Sequence, residues 1–149
     1  MALIDQITRD IGQAMRQKDQ ASLAPLRMLK AALVNKEVER GRALDEAESL
    51  QVVGSLVKQR KEAVEQFQAG GRQDLADREQ QEIVFLQRYL PPAADPAALT
   101  QAIEAAIVET GATSPKDMGK VMKAATARLA GLTVDGRALS SAVKARLER

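Results

Sequence analysis

Apolar residues recur along this chain at steps of three and four, and no segment shows the period of two that a half-buried strand requires. Ile4, Ile7, Ile11, Ala14 and Met15 predict a first helix. Leu23, Leu26, Leu29, Leu33 and Val38 predict a second, with Pro25 tolerated in its first turn and Gly41 at its end. Asp45 followed by Glu48 has the spacing of a capping box. It opens a third helix on Leu50, Val53, Val57, Val64 and Phe67, which Gly70-Gly71 stops as a left-handed cap. A fourth runs from Asp74 to Leu90 on Leu75, Ile83, Leu86 and Leu90. Pro91-Pro92 ends it, because proline restricts its own backbone and that of the residue before it.

Three shorter helices follow. Asp95-Pro96 reads as N-cap and N1 proline ahead of Leu99, Ile103 and Ile107, with Gly111 as terminator. Ser114-Pro115 repeats the device, with Asp117 at the third helical position, ahead of Met118, Val121, Met122, Ala125 and Leu129; that helix stops at Gly131. Asp135 caps the last, which buries Leu139, Ala142, Val143 and Leu147. The expected fold is all-α: a four-helix bundle over residues 1–90, a proline-containing linker at 91–95, and a small three-helix domain over 96–149. A module of about 55 residues without disulfide or metal is marginal by itself and is expected to draw order from the first half or from a partner.

Composition removes whole classes of chemistry. There is no histidine and no cysteine. Imidazole bases, Ser-His and Cys-His nucleophile pairs, thiol redox reactions and the usual zinc and iron ligand sets are therefore excluded. Hard cations need only oxygen, but Glu79 with Glu82, and Glu37 with Glu39, read as ordinary helix-surface acids. No cofactor, metal or catalytic residue is expected. Nor does a glycine-rich phosphate loop follow a strand. The only aromatic residues are Phe67, Phe85 and Tyr89, all on or beside apolar helix faces. No apolar run approaches the ~18 residues of a membrane span, and the start lacks the basic region of a signal peptide. A soluble, cytoplasmic protein without membrane contact is expected.

Charge is unevenly spread. Residues 1–90 hold fourteen bases and fourteen acids, and 91–110 hold three acids alone. From Gly111 to Arg149 there are eight bases against three acids, a net of +5. On a wheel of about 100° per residue, Lys116, Lys120 and Lys123 fall on one stripe opposite Met118, Val121, Met122, Ala125 and Leu129. That stripe adjoins the positive end of its helix, a place suited to phosphate. Arg137 and Lys144, seven apart, add one face of the last helix. The competing reading is a solvated amphipathic surface, with Asp117 offsetting part of the dipole. Because the basic end lacks aromatic rings for stacking, a nucleic-acid partner is expected to be gripped by backbone and shape, as in folded, double-helical RNA.

A second cluster, Lys58, Arg60 and Lys61, lies in the third helix. Arg60 falls in the apolar register, so pairing with Glu79 or Glu82 of the next helix is expected ahead of an anion site; a helical hairpin would bring Arg72 near it.

Several stretches together resemble the GatB/YqeY family: Lys58-Gln-Arg-Lys-Glu-Ala, Gly70-Gly-Arg-Gln-Asp-Leu-Ala, Tyr89-Leu-Pro, Asp117-Met-Gly-Lys-Val-Met-Lys and Asp135-Gly-Arg. The resemblance covers essentially the whole chain. It implies a helical bundle followed by a domain similar to the C-terminal tail of the B subunit of glutamine-dependent aminoacyl-tRNA amidotransferase, which grips tRNA away from the catalytic cradle. The tail's Gly-x-Val-Met-Lys pattern falls on Gly119, Val121, Met122 and Lys123, adding Gly119 to the expected contacts. The resemblance also implies carbon–nitrogen ligase activity with glutamine as amide donor, but the cradle and any glutaminase component are absent from these 149 residues. The leading expectation is a non-catalytic accessory module binding tRNA or other structured RNA. The alternatives are a component of such a ligase and a protein–protein interaction module without nucleic-acid binding.

Overall fold

The computed structural model describes residues 1–149 and is built of helices throughout. They are α1 (Leu3–Arg16), α2 (Gln20–Arg40), α3 (Glu46–Ala69), α4 (Gln73–Gln87), α5 (Pro96–Thr110), α6 (Met118–Arg128) and α7 (Gly136–Leu147), with a 3-10 turn at Pro115–Asp117. The chain divides between Leu90 and Pro91 into two compact units.

In the first unit the heptad-like spacing puts Ile7, Leu23, Leu26, Leu29, Leu33, Val53, Val57, Ile83 and Leu86 into one core. Of the expected members, Leu50, Phe67 and Leu75 are half-buried outside it, and two lie at the surface: Met15 is 56% exposed and Val38 75% exposed. The reason is angular. Val38 lies nine residues past Leu29, about half a turn away from the buried face, and Met15 is one step of about 100° off Ala14. Pro25 also differs from expectation, standing inside α2 rather than in its first turn. Asp19 opens that helix, accepting from Ser22 N. The capping box at Asp45 and Glu48 forms in both directions, and Gly71, at φ +72°, provides the left-handed turn between α3 and α4.

The second unit packs Ile103, Ala106, Val121, Ala125, Leu129, Leu139, Val143 and Leu147 around small alanines that let its short helices approach. Asp95 and Asp135 accept from the first turns of α5 and α7. The helix expected from Ser114 begins as a 3-10 turn, closed by Asp117 N donating to Ser114 O at 3.0 Å. Only from Met118 is it α-helical, so Lys116 lies on a tighter turn than the wheel assumed. The segment 91–95 is not a free-standing linker. Thr133 N donates to Pro92 O at 2.9 Å and Ala94 N to Thr133 O at 2.8 Å, and Thr133 Oγ1 reaches Pro91 O at 2.7 Å. Prolines donate nothing, so their carbonyls are fixed from the other side, and the segment belongs to the second unit.

Candidate nucleic-acid interface

The second unit holds eight bases and six acids, and the structure sorts them by residue type. Two of its four arginines are drawn to carboxylates of α5. Arg146 Nε donates to Glu104 Oε1 at 2.6 Å, with Nη2 at 3.2 Å from the other oxygen. Arg128 Nη2 lies 3.2 Å from Glu109. Both acids belong to α5, so the two arginines tie α6 and α7 back to it. A planar fork suits this bidentate work better than an ammonium does. The Arg146 guanidinium holds the Glu104 carboxyl below its ordinary range, with Arg149 adding a smaller pull. Counting all eight bases of 111–149 as available therefore overstates the free charge; Arg128 and Arg146 are structural.

The lysines behave differently. All four in this unit, Lys116, Lys120, Lys123 and Lys144, are exposed, and none has a carboxylate within ion-pair distance. Three of them flank the start of α6, where Gly119 is also exposed and a Cβ placed on it would meet nothing within 4 Å. Glycine inside a helix costs up to about 1 kcal/mol relative to alanine, and here no internal contact calls for it. Asp117 makes no side-chain bond into α6. Its carboxylate turns back to accept from Thr113 N at 3.0 Å and Ser114 N at 3.4 Å. Those backbone donors, chiefly Thr113, hold its pKa down, with a smaller contribution from Lys120. The first-turn N–H groups of α6 are thus left without a side-chain cap beside three ammonium groups. On α7, Arg137 and Lys144 are both exposed.

The second cluster is a different construction. Arg60 Nη1 donates to Glu79 Oε2 at 2.9 Å, and Nη2 sits 2.7 Å from Met28 Sδ and 3.9 Å from Glu82 Oε2. The group is largely buried and joins α2, α3 and α4. Lys58 and Lys61 are exposed nearby along α3. Arg72 is not brought to Arg60: it forms a two-pronged pair with Asp74, its neighbour at the start of α4. Sequence reasoning missed the pairings onto α5, since nothing in the spacing of Glu104 and Glu109 announces a partner on another helix.

With this geometry in place, comparison with known proteins adds the lineage. The profile of the Yqey-like protein family matches residues 4–147. The chain belongs to that family. A member from Lachancea thermotolerans, "Altered inheritance of mitochondria protein 41, mitochondrial", is 31% identical over 96% of this chain and 78% of its own length. Proteins of the same name from Eremothecium gossypii and Vanderwaltozyma polyspora are 34% and 30% identical, each over 66% of this chain. The aligned region covers 54% and 55% of those two relatives, about half their length. These names also correct one expectation. These relatives are named as mitochondrial proteins, which overturns the expectation of a cytoplasmic placement.

Proposed function

We propose that the second unit is a phosphate-gripping module for tRNA or another structured RNA, a non-catalytic accessory related to glutamine-dependent aminoacyl-tRNA amidation. The observation that carries this is the division of labour among its cations. Glu104 and Glu109 occupy Arg146 and Arg128, while every lysine stays exposed and unpaired. Point charges on flexible stems follow a phosphate chain without reading bases. The link to amidation rests on the resemblance of Gly119-Lys120-Val121-Met122-Lys123 to the amidotransferase tail.

The test is filter binding of bulk tRNA to the full chain across a salt series. Three phosphate contacts predict affinity falling roughly fortyfold between about 50 and 200 mM salt. Lys120→Glu/Lys123→Glu protein should lose most of the retention with its helical content intact; unchanged affinity in that variant would sink the reading.

A second reading, docking of another protein on the first unit, is favoured by Val34 and Val38, four apart on α2 and exposed at 38% and 75%. Sedimentation with and without cell extract separates the two, since a protein partner would be retained at salt concentrations that strip RNA.

A further inference from the structure

The first unit contains a polar cleft that the RNA reading leaves unused. One wall is a stripe of α1 and its C-cap: Gln6, Asp10, Gln13 and Gln17 recur at helical spacing, with the buried Ala14 beside them. The other is the end of α4, with Arg88 and Tyr89. The cleft is open to solvent and has a volume of about 300 Å³, the lower end of the range for small-molecule sites. Leu26 and Phe85 give it an apolar floor.

What marks this cleft is charge of both signs: Asp10 and Arg88 stand without ionic partners, while Asp19, which also lines it, has its carboxylate oxygens engaged by Ser22 N and Oγ. Tyr89 Oη donates to Asp10 Oδ2 at 2.6 Å, leaving Asp10 Oδ1 with no protein partner and no cation within ion-pair distance. Arg88 has no carboxylate either. Its guanidinium lies 5.3 Å from the centre of the Phe85 ring, a stacked position that leaves its N–H edges open. Burial, then the Asp10 carboxylate, pushes the Tyr89 phenol up, and Arg88 pulls it down, so both charges act on one hydroxyl. The other cleft of this unit, about 340 Å³ between α2 and α3, is self-neutralised by Lys36–Glu39 and Arg40–Glu48 pairs and calls for no charged ligand.

We infer that the α1–α4 cleft binds a small zwitterion of the α-amino-acid type, its ammonium on Asp10 and its carboxylate on Arg88. The glutamine amides of α1, each with donors and an acceptor, then face a polar side chain. An ammonium alone leaves Arg88 unanswered, and an acid alone is repelled by Asp10. This inference is independent of the RNA reading and involves none of its residues.

The chain has a single tyrosine and no tryptophan, so Tyr89 emission reports on the cleft directly, its carboxylate partner acting as a quencher. The experiment titrates the full chain with L-asparagine, ethylamine and acetate, following that emission together with the NMR signals of the glutamine side-chain amides. Asparagine is expected to saturate near about 1 mM, with ethylamine and acetate at least about tenfold weaker. Asp10→Asn and Arg88→Met should each weaken asparagine by about tenfold while the melting temperature holds. Gln13→Ala, on the exposed face of α1, provides a third variant with an expected loss should either of these unfold. No saturation by about 50 mM asparagine, equal binding of ethylamine, or unchanged affinity in the folded variants would overturn the assignment.

Discussion

Arg146 Nε lies 2.6 Å from Glu104 Oε1 and joins the last helix of the second unit to its first. This pair holds a small core together from outside. Glu104→Gln should lower the melting temperature at low ionic strength, and the difference from the parent chain should shrink as salt screens the exposed charges. Calorimetry at two salt concentrations checks it; a salt-independent loss would mean that packing, not charge, is what the substitution disturbs.

Acid should act first at the turn between α2 and α3. Glu48 accepts from Arg42 at 2.7 Å and 2.9 Å and from Asp45 N at 3.2 Å. The Arg42 contact, then the Asp45 bond, hold its carboxyl down to about 2. A carboxyl depressed in the folded state stabilises above its unfolded pKa, near 4.3, and that contribution disappears as pH falls toward the folded value. Stability of the parent chain should therefore drop between about pH 4.5 and pH 2. Glu48→Gln protein, measured by urea unfolding, should be less stable at neutral pH and show a flatter acid limb.

Two glycines should respond oppositely to alanine. Gly111 closes α5 at φ +67°, in the left-handed region. Placing a Cβ there costs about 1–2 kcal/mol. Gly119 lies inside α6 with open space where a Cβ would go, so alanine should stabilise by up to about 1 kcal/mol through helix propensity. Chemical unfolding of the two variants settles the signs.

Thr133→Val keeps the shape of the side chain but removes the 2.7 Å bond to Pro91 O. The expected cost is about 1 kcal/mol. Hydrogen exchange of the Ala94 amide, which donates to Thr133 O, should accelerate with it. Unchanged protection would show that the backbone bonds alone hold the segment.

Helices and their ends were legible because local chemistry decides them. Asp95 and Asp135 cap where their sequence neighbours said they would, and Leu29, Leu33, Val121 and Val143 are buried on the faces their spacing defined. Reading failed where an extra angle or a distant partner mattered. Val38 continued a list of apolar residues but not their direction around the helix. The turn at Pro115 tightened under a bond closing three residues back. The exposed lysines of α6 and α7 were legible from their spacing, but pairings between helices were not: Asp10 and Tyr89 stand 79 residues apart, and Arg146 is 42 residues from its carboxylate. Such pairs depend on how helices lie against one another, which no local pattern encodes.

Because the two cations that brace the second unit against α5 are guanidinium groups, and its four exposed lysine amines take no part in that bracing, much of its surface potential rests on atoms chemically different from those that brace it. A reagent or enzyme that acylates amines would remove four positive charges while leaving both ion pairs onto α5 standing. Affinity for a polyanion can thus be switched off in a molecule that still folds.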